Sequence, residues 1–528
     1  MIYLDKISRR DFIKTTALAL TATKFFIGDA QAAEPCRVQT RYGIFNGFID
    51  KQGVKTWLGI PYAKPPVGNL RWRAPEPLEP SDKTFSAKKF GASPMQDRDP
   101  VEPASLHRQS EDCLTLNIWT RGAGKNLPVM VFIHGGGFVN GGSADPLYNC
   151  SNLAAAHDVV FVTINYRVNI FGFMNFAAID SSFADSGCLG LKDQVAALKW
   201  VKENIEHFGG NPDNMTIFGE SAGAISVSLL MVTPAARGLF QKAIAQSGHA
   251  SYYQTPAASA KVAEDFMALS GCKNMAELMK KSSAELRALY EKFYELRPEY
   301  IDVDFLPTTY GDFFPAHPLL AFKEGAARGI KLLTGTMEDE YLYWALYFDD
   351  ITNDLPKYHA ILTPVLYEGE FSEATELYQA WQKNNMDLDE VSRYVEFADQ
   401  LDWRVGQELM AEYQSNFDDV YFYLFNQQSP VEGLESCHAL DLPFVFNNPS
   451  EGIEPNPSSK LVRQVQAAWC SFAASGDPNN FRIPQWKKYS VDDRQTMEIN
   501  SSAWVCRKDL NVQNLNELRG VYENHLLD

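Results

Sequence analysis

Apolar residues recur along this chain in two rhythms. Val129-Met130-Val131-Phe132-Ile133 and Ile330-Lys331-Leu332-Leu333-Thr334-Gly335-Thr336 have the length and β-branched content of buried strands. Thr216-Ile217-Phe218 is a third such run, and after a glycine-rich turn it gives way to the Ala/Ser/Val/Leu-rich Ala224 to Val232. The second rhythm is helical and amphipathic, as in Val262 to Leu269 and Ala284 to Leu296. Those stretches fall in two motif-poor excursions, from about Ser251 to Pro307 and from Tyr341 to Gln428. Hydrophobic residues are 45% and charged residues 22% of the chain, the balance of a globular protein. By length alone, 528 residues suggest two or three domains. Repeats and low-complexity segments are absent from the sequence.

Chemistry concentrates where strands meet glycines. Gly219-Glu220-Ser221-Ala222-Gly223 is a G-x-S-x-G pattern in a strand–turn–helix setting, which lifts a serine to the tip of a strained elbow. Upstream, the strand at Val129 to Ile133 runs into His134-Gly135-Gly136-Gly137-Phe138. Glycines there let backbone N–H groups approach an oxygen that becomes negative during acyl transfer. This is the oxyanion loop of esterases and lipases, which works with the N–H after the nucleophile, here Ala222. A phosphate loop would need a following Gly-Lys-Ser/Thr, which the chain lacks. An acid and then a histidine should come after the serine. The strand at Ile330 to Thr336 ends in Met337-Glu338-Asp339-Glu340, and spacing does not choose among those three acids. Of the nine histidines, His438 follows the turn-like Gly433 to Cys437 and precedes the apolar Leu442 to Phe446; His359 has no such setting. His525 lies near the C-terminus, and His249 and His317 precede the acids.

Longer motifs carry a resemblance. Leu58-Gly59-Ile60-Pro61-Tyr62-Ala63-Lys64-Pro65-Pro66-Val67-Gly68, Ser110-Glu111-Asp112-Cys113-Leu114, Asn165-Tyr166-Arg167, the run from Gly190 to the elbow, and Phe472 to Asn479 with Trp486 together resemble the type-B carboxylesterases, the group of cholinesterases and bacterial p-nitrobenzyl esterases. The resemblance covers nearly all the chain. It implies one α/β-hydrolase domain over residues 33–528: a large, mostly parallel central sheet flanked by helices, with helical insertions shaping a substrate gorge. It maps the catalytic triad onto Ser221, Glu340 and His438, and the oxyanion hole onto Gly136, Gly137 and Ala222. Glu220 is expected to support the triad rather than belong to it. Three departures stand out. Tyr341 replaces the glycine that follows the acid, and Cys113 has no cysteine between itself and Cys36 to pair with, so a buried free thiol is expected. Pro103 occupies the place of the tryptophan that stacks on choline in cholinesterases, so choline esters are a poor fit. Tyr341, Tyr343 and Trp344 beside the acid suit either core or pocket.

The N-terminus reads as an address. Ser8-Arg9-Arg10-Asp11-Phe12-Ile13-Lys14 is a twin-arginine signature, followed by a weakly apolar stretch and Ala30-Gln31-Ala32. Cleavage after Ala32 would release a periplasmic or secreted bacterial protein; Lys24 interrupts a stretch too short to anchor it in a membrane. Net charge is −18 at pH 7, which disfavours nucleic acid and anionic lipid. Metal-ligand and cofactor patterns are absent, so no cofactor is expected and a small ester is the expected partner. Two alternatives remain: a binding or adhesion protein that keeps the fold and loses the chemistry, and a hydrolase specialised for large, aromatic, tricarballylic or long-chain acyl esters.

Overall fold

A computed structural model of the chain describes residues 36–97, 106–297 except 123, 304–345 except 310 and 312, 378–383, 386, 388 and 390–525. The expected leader, residues 1–32, lies outside the described residues, as do Pro103 and His359.

One thirteen-stranded sheet organises the molecule. Its strands are β1 (Cys36–Thr40), β2 (Gly43–Ile49), β3 (Lys55–Pro61), β4 (Thr84–Ser86), β5 (Thr115–Thr120), β6 (Leu127–Ile133), β7 (Val160–Ile164), β8 (Gly210–Glu220), β9 (Lys242–Gln246), β10 (Lys331–Met337), β11 (Val420–Phe425), β12 (Thr496–Ile499) and β13 (Trp504–Arg507). They lie in the order β1-β2-β3-β5-β7-β6-β8-β9-β10-β11-β12-β13, with β4 beside β2. From β7 to β12 every pairing is parallel; the remaining pairings along this order are antiparallel, and β4 joins β2 in parallel. This is the α/β-hydrolase architecture that the motifs implied.

Burial explains the central strands. Both faces of the sheet are covered, so the strands read as continuous apolar runs rather than alternating ones. The alternation survives in where the side chains go. Val129, Val131 and Ile133 join one apolar cluster, and Met130 and Phe132 join the other across the sheet. Helix Leu189–Asn204 packs into the first cluster and helix Ser459–Ser475 into the second. Among the described residues, no helix is long and apolar enough to cross a membrane.

The two amphipathic stretches are helices Pro256–Ser270 and Ser283–Leu296. The second opens on a reciprocal cap between Ser282 and Glu285, which satisfies two backbone N–H groups at the helix start. The second excursion is shorter than the sequence suggested. Val420–Phe425 is β11, a fully buried central strand paired in parallel with β10, so the excursion that begins at Tyr341 ends before Val420. Its aromatic and β-branched residues suit a pleated, doubly covered surface.

Candidate active site

The elbow joins β8 to helix Ala222–Val232 through the single residue Ser221, whose φ of +56° and ψ of −128° are unfavourable for an L side chain. Its surroundings over-determine that conformation. Ser221 N–H donates to Gln246 O on β9 at 3.0 Å, and Ser221 O accepts from Ile225 N–H at 2.9 Å. Gly223 has to be glycine, because a Cβ there would sit 2.1 Å from Ile133 O on β6. Ala222 is the first helical residue, so its N–H has no intrahelical acceptor and lies at the positive end of the helix dipole.

The glycine loop leaves β6 and folds against this elbow. A Cβ on Gly135 would lie 3.1 Å from Ser221 Cβ, which measures how closely the two segments approach. Gly136 and Gly137 take φ values of +104° and +58°, and Gly136 O accepts from Val139 and Asn140 N–H. His134 is buried, stacked on Tyr166 at 4.3 Å, and its Nδ1 meets Gly135 O at 2.8 Å. Burial lowers its pKa to about 4, so it acts as a neutral prop for the loop.

Beyond β10 the chain turns so that Glu340 points inward and is fully buried. Its Oε1 accepts from Met337 N–H at 2.8 Å, and its Oε2 lies 2.6 Å from His438 Nδ1. Of the three acids that spacing left open, Glu340 is the one whose carboxylate meets His438. Asp339 instead accepts from Ser436 N–H at 3.1 Å, and Glu338 is tied through its main chain to Phe425 and Arg404. Tyr341 occupies its place without positive φ, and its N–H donates to Asp399 Oδ1 at 2.7 Å. The glycine expected there is therefore not required by this turn.

The other edge of the imidazole meets Glu220, the residue expected to stand behind the triad. His438 Nε2 lies 3.0 Å from Glu220 Oε1, so the ring sits between two buried carboxylates. Among the described residues, no hydrogen bond joins Ser221 Oγ to His438. Burial disfavours a charged ring, but Glu220 and Glu340 outweigh it and push the His438 pKa up to about 10. Burial raises the pKa of Glu220 as well, and His438 pulls it back. Behind the elbow, Gln246 donates to Asp441 Oδ2 at 2.8 Å and accepts from Trp469 Nε1 at 3.2 Å, while Tyr423 OH donates to Asp441 at 3.0 Å. Burial, helped by the Glu220 charge, lifts Asp441 to about 7.

Aromatic rings line the base. Trp403 lies 4.6 Å and Tyr343 6.1 Å from His438. Tyr341 is core, packed edge-on against Tyr394 at 5.9 Å; the Trp344 side chain lies outside the described residues. Trp403 carried no sequence signal, since its position next to the imidazole depends entirely on a distant helix. His249 is buried and bonded to Asp402 O, away from the acid, and His317 meets Tyr253. Cys113 is buried and free, as expected, with burial raising its pKa. Among the described residues, no group of three or more His, Cys, Asp or Glu side chains is arranged to hold a metal ion.

Comparison with known proteins gives a consistent picture. The profile of the Carboxylesterase family matches residues 34–517. The para-nitrobenzyl esterase of Bacillus subtilis (strain 168) is 37% identical over 486 residues, spanning 89% of this chain and 95% of that protein. The acetylcholinesterase of Danio rerio is 30% identical over 570 residues, spanning 92% and 88%. The solved structure of a thermophilic PNB esterase superposes with a TM-score of 0.81 at 35% identity, covering 91% of this chain and 99% of that one.

Proposed function

The chain belongs to the carboxylesterase family and is a carboxylic ester hydrolase of that fold; from this premise we propose that Ser221, His438 and Glu340 are its catalytic triad and that Gly136, Gly137 and Ala222 form its oxyanion hole. The observation that carries the reading is the 2.6 Å contact between Glu340 and His438, with His438 packed against the residue preceding a strained serine. In this mechanism His438 takes the Ser221 proton as Oγ attacks the ester carbonyl. The backbone N–H groups of the glycine loop and of Ala222 hold the oxyanion. The alcohol leaves with a proton from His438, and water activated by the same ring releases the acid from Ser221. His438 is a base only in its neutral form. Glu220 supplies a place for the remaining proton, because burial makes its own carboxyl easier to protonate.

The substrate is a carboxylic ester without a choline group; the chain carries no tryptophan between Trp72 and Trp119 to stack on a quaternary ammonium. The twin-arginine signature supports export, and fractionation of cells expressing Arg9→Lys with Arg10→Lys tests it: retention in the cytoplasm is the expected result. For the chemistry, Ser221→Ala should lower turnover of p-nitrophenyl acetate by about 10³-fold or more. An organophosphonate should label Ser221 in the native protein. Full activity in the alanine variant would overturn the triad, and absence of an adduct would favour a binding protein.

A further inference from the structure

The helical stretch from Glu390 to Ser415 is interrupted at Asp399–Arg404 by a π-turn, in which Val405 N–H reaches back five residues to Gln400 O. Wide turns of this kind are rare and gather at functional sites. Here all six residues of the turn are buried. Its carbonyls are taken by donors from other parts of the fold. Asp402 O accepts from His249 Nε2 and from Tyr252 OH, each at 2.8 Å, and Leu401 O accepts from Tyr522 OH of the C-terminal helix. Gly406 just beyond leaves room for the His249 ring, since a Cβ there would lie 2.3 Å from it. The turn is thus clamped from two separate elements, the loop after β9 and the C-terminal helix.

Two sets of contacts leave it. Toward the acid, Asp399 Oδ1 accepts from Tyr341 N–H at 2.7 Å, while Arg404 Nη2 donates to Glu338 O at 2.9 Å and to Met337 O at 3.3 Å. Met337 is also the residue whose N–H holds Glu340. Toward the base, the Trp403 ring lies 4.6 Å from the His438 imidazole at a 45° tilt and is itself backed by Tyr252 at 5.8 Å. Both partners of the acid–base pair therefore rest on one helical turn.

We propose that the π-turn Asp399–Arg404 is the positioning element of the catalytic base, with Trp403 holding the His438 ring against Glu340 and favouring its cationic form, and with Asp399 and Arg404 holding the turn that presents Glu340. This rests on the triad reading above. Trp403, Asp399 and Arg404 are positioning residues, acting through His438 and Glu340. An indole face near an imidazolium gains a cation–π attraction that a neutral ring does not, so it favours the state His438 reaches each time it takes a proton. Among the described residues, the titratable and charged groups around His438 are Glu220 on the elbow, Glu340 on the acid turn and Tyr343 just after it, Cys437 and Asp441 on its own segment, and Asp399, Asp402 and Arg404 on the π-turn. Of these, the variants below change none except Arg404.

The test compares Trp403→Leu, Trp403→Phe and Arg404→Gln with native protein on p-nitrophenyl acetate and butyrate, each over a full pH range. Trp403→Leu should lower kcat about tenfold on both esters with KM nearly constant, and should move the acid limb of kcat/KM down by about 0.5–1 pH unit. Trp403→Phe, which keeps a ring, should recover most of both effects. Arg404→Gln should lower kcat on both esters without moving KM. A change confined to KM, or one that differs between acetate and butyrate with the acid limb unmoved, would make Trp403 a pocket wall and overturn the proposal. If Trp403→Leu does not fold, Trp403→Met, which also removes the ring, decides: an acid limb and kcat identical to native sink the idea. Ser221→Ala is run alongside. Activity in that variant would overturn the triad itself, whereas an inert Ser221→Ala with native-like Trp403 variants would overturn this inference alone.

Discussion

The His438 ring lies between two buried carboxylates, 3.0 Å from Glu220 and 2.6 Å from Glu340, and in the proposed mechanism their charges set the pH at which it can act as a base. A base is active only when unprotonated, so raising its pKa moves the acid limb of activity upward. With the His438 pKa raised, activity should climb into the alkaline range, above the ordinary histidine value near 6.5. Glu220→Gln removes one of the two charges, so the acid limb of kcat/KM should move to lower pH, measured on an uncharged ester. Glu340→Gln should lower kcat by roughly 10³-fold or more, since it loses the charge bonded to Nδ1. Glu338→Gln should be mild, and the reverse pattern would shift the triad to Glu338. At this scale the sequence marked Ser221, the glycines and His438 through local motifs. Spacing left three acids open, the family resemblance pointed to Glu340, and the inward turn after β10 brings that carboxylate to His438.

Elements carry the constraints that hold those residues in place. The segment after β7 is locked to helix Leu189–Asn204 by Arg167, whose guanidinium grips Asp193 through Nε and Nη2 at 2.7 Å each while its own N–H donates at 3.1 Å. Both side chains are nearly inaccessible. Asp193→Asn leaves a buried guanidinium without its counter-charge and should destabilise the fold by about 3–5 kcal/mol, read from the urea midpoint. No change in the midpoint would mean that water or a neighbour replaces the lost contact. The elements that could be read from the chain were those with a strong local period, such as helices Pro256–Ser270 and Ser283–Leu296 or the run ending at Ile133. β11 was hidden inside an apparent excursion because a short apolar run suits strand or buried helix alike. Its pairing with β10 decided the matter. The π-turn left no periodic trace at all.

Across the whole molecule, buried acids make stability depend on pH. Burial raises Glu408 and Asp441 to about 7 and Asp399 well above its usual range, and the carboxylates raise His438. Each folded group then holds its proton at a pH where the unfolded chain has released it. The folded state binds more protons, so stability is lost as pH rises through these raised values. The buried His134 and His249, lowered to about 4, act oppositely but only below about pH 6.5. Between about pH 6.5 and 7.5 the named groups therefore agree in sign, and the thermal midpoint should fall across that interval; a rising midpoint would contradict their burial as neutral acids. The sequence by itself determined the family, the order of chemistry along the chain and the strand–turn–helix elbow, because glycines, β-branched runs and caps act over a few residues. Tertiary structure alone decided how closely Glu340 approaches His438 across 98 positions, that Glu220 faces the ring from the other side, and that Trp403 closes over it. Those contacts depend on how separate elements pack against one sheet, and side-chain contacts between distant elements leave no pattern in the neighbours along the chain.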